Sequence, residues 1–238
     1  MAVLLTLLVG VFFLLGAAVA WKAGDRETVE AYSVAIAFGA LACVAVTDLG
    51  PEALEAAEEL GWPLVAVLVV AGLAVLLALD RAVPDHHAEN GEEGAAHIGK
   101  MAVLAISVHN IAEGAAIFTV ASQDIAAGTA LAFGVGLHNA PLGMLLFSAF
   151  EGGRARGVAV LGAAALSTFA GGLAMFFLGS VLDEAILLGI VCVALGMVLY
   201  ILFAELAPSM AHGGSAKRNV VGAAIGVAFV LAGMLFGR

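Results

Sequence analysis

Basic residues are scarce in this chain: nine Lys and Arg stand against nineteen Asp and Glu, for a formal net charge of −10. Such a balance repels polyanions and excludes a nucleic-acid partner of the electrostatic kind. Charge of either sign is sparse, at 12% of residues, while 63% are hydrophobic. That is well above the roughly half-apolar usage of soluble domains and places the chain in the membrane class. Only two cysteines occur, Cys43 and Cys192, both inside apolar runs and without C-x-x-C spacing, so a disulfide framework is excluded and both read as small buried hydrophobes. Neither H-E-x-x-H nor a serine nucleophile elbow occurs, which argues against an enzyme; a membrane-embedded metallohydrolase is the weakest of the readings. No Lys or Arg precedes the run Ala2 to Ala20, so despite a cleavage-like Ala18-Val19-Ala20 it reads as a membrane helix and not as a secretory signal.

What is abundant is continuous apolar sequence. Runs of about twenty residues are the length of a membrane-crossing helix, whereas barrel strands would be half as long and would alternate. They fall at 2–21, 31–49, 62–79, 101–122, 127–150, 157–181, 185–207 and 220–237. The expected fold is all-α: a polytopic membrane protein whose residues 1–238 form one transmembrane domain of eight helices.

The few basic residues sort by connection. Lys22 and Arg26 lie in the first, Arg81 and Lys100 around the third, Arg154 and Arg156 in the fifth, Lys217 and Arg218 in the seventh, and none in the even ones. The positive-inside rule makes the odd connections cytoplasmic and both termini extracytoplasmic in a bacterial inner or plasma membrane, with Arg238 the exception. Glu52, Glu55, Glu58 and Glu59, then Asp183 and Glu184, leave the outer surface acidic. The long third connection, 80–99, reads as a hydrophilic cytoplasmic loop whose His86, His87 and His97 among acids are candidate weak metal ligands.

Two short echoes cross the chain. Asp48-Leu49-Gly50-Pro51 closes the second run and Glu205-Leu206-Ala207-Pro208 the seventh, and those two helices run oppositely in the derived topology. This is the trace an inverted repeat leaves, and transporters built on such repeats hold substrate near the midplane. The fourth and fifth runs share a second frame, His-Asn-x-x-x-Gly, in His109-Asn110-Ile111-Ala112-Glu113-Gly114 and His138-Asn139-Ala140-Pro141-Leu142-Gly143.

These last residues carry the chemistry. His109 and Glu113, four apart, share one face of a helix a turn from each other, and His138 lies at similar depth in the next. A carboxylate near the bilayer centre costs about 2.5–3.5 kcal/mol on insertion scales, and ionisable groups at such depth mark transport paths by default. Imidazole with carboxylate suits Zn²⁺, with Fe²⁺, Mn²⁺ or Cd²⁺ as related candidates; Mg²⁺ and Ca²⁺ prefer all-oxygen sites. The expected substrate is a divalent transition-metal cation held by His109, Glu113 and His138. Asn110 and Asn139 offer amide oxygens as secondary ligands or tie helices together; on the residues alone the second role is favoured. Pro141 frees a carbonyl one turn back, near Leu137.

The eight-run layout, the His-bearing third connection and the HNIAEG and HNAPLG segments resemble the Zrt/Irt-like (ZIP) family of divalent metal transporters, over essentially the whole chain. Family members read HNxPEG or close to it at both places, and the resemblance implies that His109, Asn110, Glu113, His138 and Asn139 occupy metal-site positions. It also implies import toward the cytoplasm by movement of one helix group against another, with the metal ion and the bilayer as partners and a homodimer as a further association. Three positions depart from the family: Ala112 for a proline, Leu142 for a glutamate, and Gly171 at the matching place for a sixth-helix glutamate. One carboxylate with two neutral imidazoles leaves a bound divalent ion at net +1 in low dielectric. A non-transporting relative that binds metal as a sensor or structural element is therefore the alternative.

Overall fold

The computed structural model describes the backbone of residues 1–23, 26–82, 91–149, 154–179, 184–213 and 215–237, and the side chains of these except 26–27, 91–100, 149, 154–156, 212–213 and 236–237. Among the described residues there is no strand. Eight helices are long and apolar enough to cross a membrane: α1 (Ala2–Lys22), α2 (Thr28–Glu59), α3 (Trp62–Ala82), α4 (Met101–Gln123), α5 (Ile125–Ser148), α6 (Gly157–Leu178), α7 (Glu184–Ala211) and α8 (Ala216–Leu235). The sequence expects that number, because only an uninterrupted helix satisfies its own backbone over such a length without water. The chain is a multi-pass membrane protein.

Two kinds of boundary differ from the expectation. The second run does not end at Leu49: α2 passes through a π-helical stretch, Ala45–Leu49, and continues to Glu59, so the four glutamates read as a loop lie on helix. Likewise α7 passes through π-helical Ile201–Leu206. Each π turn precedes a proline, Pro51 or Pro208. A proline in a helix has no N–H to donate and its ring clashes with the carbonyl four residues back, here that of Thr47 or Ala204. Widening the turn by one residue relieves that clash while the helix carries on. The second difference lies in the third connection, where helix begins at Gly91, ahead of the apolar part of α4.

Packing follows the small residues. One core cluster draws on every helix, including Phe13, Leu41, Leu76, Ile106, Leu142, Leu161, Ile201 and Val230. Lipid tails are as apolar as leucine, so helices gain by close backbone approach at glycine. Gly16 and Gly143 bring α1 against α5, and Gly10 brings α1 against α6; a Cβ at any of the three would strike a backbone carbonyl. Gly114 and Gly171 do the same for α4 and α6, Gly72 and Gly196 for α3 and α7, and Gly39 and Gly226 for α2 and α8. These contacts group α1, α4, α5 and α6 together and leave α2 with α8 and α3 with α7. A contact of Gly233 with the Gly134 carbonyl joins α8 to α5 across the groups.

Candidate metal centre

A hairpin builds the site. Asp124 alone separates α4 from α5, and its Oδ1 accepts from the N–H groups of Ala126 at 2.8 Å and Ala127 at 3.2 Å. This is the side-chain cap a helix start needs, and it turns the chain back directly. His109 and Glu113 on α4 and His138 on α5 consequently meet near the centres of two antiparallel helices. Both frames are continuous α-helix, including the turn over Pro141.

The three side chains converge on one oxygen. Glu113 Oε1 lies 2.8 Å from His138 Nε2 and 3.1 Å from His109 Nε2. The first contact has hydrogen-bond alignment and the second does not, so His109 Nε2 is aimed near the oxygen without donating to it. The imidazole rings stand 6.2 Å apart at 27°. Side-chain exposure is 4% for His109, 11% for Glu113 and 5% for His138. One ligand atom from each lies within 4.8 Å of the others, a spacing that a single ion can bridge. Among the described residues, His109 Nδ1 and Glu113 Oε2 have no hydrogen-bond partner. Buried polar atoms are normally paired, and an exception calls for a reason.

The two asparagines part company. Asn110 donates through Nδ2 to the Ala164 carbonyl at 3.2 Å and to Ser167 Oγ at 3.0 Å, and Ser167 donates to the same carbonyl at 2.7 Å. It thus ties α4 to α6, while its Oδ1 has no partner among the described residues. Asn139 is fully buried, and neither amide atom has a partner among the described residues.

Gly171 is not a vacant ligand position. A Cβ there would run into the Ile111 carbonyl, so the residue is the contact point of α6 on α4 and leaves no room for an acid. The α6 carbonyl beside Gly114 is that of Thr168, which puts Thr168 at the depth of Glu113. Its hydroxyl is fully buried and unpartnered among the described residues, and sequence reasoning passed over it and Ser167. His86, His87 and the His97 side chain lie outside the described residues.

No family model matches the chain. It is similar to the zinc transporter ZupT of Neisseria meningitidis. The serogroup C, A and B proteins of that name are each 28% identical to it over 130 residues, covering 48% of this chain and 48% of each relative. The chain thus spans about half the length of the curated relatives it matches.

Proposed function

We propose that this protein is a ZIP-like transporter that moves Zn²⁺ or a similar divalent transition-metal cation toward the cytoplasm. The ion passes through a midplane site on α4 and α5, with His109, Glu113 and His138 as primary ligands. The observation that carries the reading is the meeting of two imidazole nitrogens and one carboxylate oxygen at the depth where each costs most to bury. Similarity to proteins named zinc transporters supports the choice of ion. Asn110 and Asn139 flank the ligands, Asn110 holding α4 in register with α6. The His86, His87 and His97 tract serves as a weak cytoplasmic acceptor, and both termini lie on the outer side.

The matching π turns in α2 and α7, each carrying an acid three residues before a proline, support an inverted repeat. The glycine-mediated grouping of α1, α4, α5 and α6 supports movement of that group against the remainder. Zinc uptake into proteoliposomes tests the reading. Flux should disappear in an E113A/H138A double variant, and unchanged flux rejects the assignment.

A second reading, a metal-binding protein without transport, is favoured by the buried leucine at position 142 and by the closed contact at Gly171. In the same vesicles it gives bound zinc and no flux.

A further inference from the structure

Three proposed ligands leave one position of a tetrahedral ion to be filled. The hairpin does not fill it with an acid: Leu142, one turn beyond His138, is apolar and 2% exposed. Nor does α6, since Gly171 is closed against the Ile111 carbonyl. Beside the triad lie instead buried polar atoms that have no partner among the described residues.

The hydrogen bonds around Ala164 explain two of them. A Ser or Thr inside a helix commonly returns its hydroxyl to the carbonyl four residues back. Thr47, Thr119, Ser122, Thr129 and Ser148 do so here at 2.6–2.9 Å. For Thr168 that carbonyl is Ala164's, and it already accepts from Ser167 Oγ at 2.7 Å and from Asn110 Nδ2 at 3.2 Å, which occupy both of its lone pairs. The fully buried Thr168 hydroxyl is thereby displaced from its own helix. The same bonds fix the Asn110 amide. Ser167 commits its hydrogen to Ala164 and can only accept, at 3.0 Å, so Nδ2 is held against α6 and Oδ1 is turned away from it.

Asn139 faces the same region. Each asparagine follows a ligand histidine directly, and one residue is a step of about 100° around a helix. Because α4 and α5 run antiparallel with their histidine rings 6.2 Å apart, the two steps turn both amides to one side of the hairpin. That side is closed by α6, seated on Gly114, and by α1, whose Gly16 meets the Ala140 carbonyl and whose Gly10 meets the Ala165 carbonyl. On α6, Gly171 faces α4 and Gly172 faces Thr6 of α1; Thr168, one turn earlier, lies on the arc between them. Asn110, Asn139 and Thr168 therefore look into the interior of one four-helix group at the depth of the triad.

Their chemistry selects the occupant. Asn110 Oδ1 only accepts, whereas the Asn139 amide and the Thr168 hydroxyl both donate and accept. A cation would leave the Asn139 Nδ2 hydrogens unanswered, and an anion would face amide oxygens. Water donates two bonds and accepts two, and a buried water typically makes about three. We propose that Thr168, with Asn110 and Asn139, holds a water molecule that fills the fourth position of the ion bound by His109, Glu113 and His138. The inference rests on the reading of the triad as a cation site. Thr168 is a positioning residue: the water touches the ion, and Thr168 touches the water. Solvent takes the place that a carboxylate at position 142 or 171 would otherwise occupy.

The test loads the full-length protein in detergent with Co²⁺ and records its electron paramagnetic resonance signal in ordinary water and in water enriched in the magnetic isotope of oxygen. A water ligand broadens that signal, and broadening is expected in the unaltered protein. Thr168→Val keeps the shape and removes the hydroxyl. Broadening should then be lost and Co²⁺ affinity should fall about 10–100-fold, the usual cost of losing a partner just outside a metal's ligands. Thr168→Ser, which keeps the hydroxyl, should retain both, and Thr168→Ala supplies the readout should the valine variant not fold. Broadening that survives removal of the hydroxyl, whatever the melting temperature, overturns the role of Thr168. No broadening in the unaltered protein overturns the solvent ligand; with Co²⁺ still bound there and lost in Glu113→Gln, the triad reading stands. Failure of the unaltered protein to bind Co²⁺ sinks both.

Discussion

Glu113 and His138 are joined across two antiparallel helices by a 2.8 Å hydrogen bond, and His109, one turn before Glu113, is turned to the same carboxylate oxygen. Among the described residues, Glu113 is the one acid in this cluster of possible metal ligands. Glu113→Gln conserves its shape and removes its charge. A ligand at about a hundred times its dissociation constant raises stability by about 2.7 kcal/mol when it binds only the folded state. Zinc should therefore raise the melting temperature of the unaltered protein in detergent and leave the variant unmoved. A shift that persists in Glu113→Gln means that the ion sits elsewhere.

Leu142 shares a helix face with His138, so a carboxylate at that position would point toward the same ion. Leu142→Glu should tighten Co²⁺ binding by at least about tenfold, because a pairing worth about 1.4 kcal/mol already does so. Without metal the same variant should be less stable, by about 2.5–3.5 kcal/mol, the insertion cost of a buried acid. Isothermal titration and thermal melts read the two effects separately, and weaker binding in the variant contradicts the placement of position 142.

Gly114 and Gly171 hold α4 and α6 at backbone contact, and neither tolerates a Cβ without displacement of a carbonyl. Gly171→Ala should lower stability by about 1–3 kcal/mol, the usual cost of overpacking. Gly162→Ala, on the same helix with open space around it, should be neutral or slightly favourable. Equal melting temperatures for the two variants would show that the contact is not tight.

Asn110 bridges α4 to α6 through Ala164 and Ser167. Interhelical hydrogen bonds in membranes average about 0.6 kcal/mol and reach about 1.7. Asn110→Ala should lose stability within that range. If its unpartnered Oδ1 also serves the ion, Co²⁺ affinity falls in the same variant while Ser167→Ala leaves it unchanged.

Much of this architecture was legible in the chain because membrane helices are governed by length and apolarity, both of which are local. The i, i+4 spacing of His109 and Glu113 likewise announces a shared face before any fold is known. Other features depend on how helices meet. Pro51 reads as a terminator, yet a π turn absorbs it and α2 runs on to Glu59. Gly171 reads as a deleted ligand, yet it is required for contact with Ile111. Thr168 lies beside an asparagine bridge that no spacing rule connects to it. Asp48 stands in an echo with Glu205, and nothing in that echo says that a π turn holds it half-buried.

The one-residue turn at Asp124 has a mechanical corollary. Each of the three proposed ligands belongs to the same helical hairpin, whose two arms are joined at one end by that cap. A displacement of the hairpin toward either membrane face would carry the coordination sphere along whole, as freight in a closed hand. The ion then need never be handed from one partial ligand set to another, and the barrier to its passage would lie in shearing one helix surface past its neighbours.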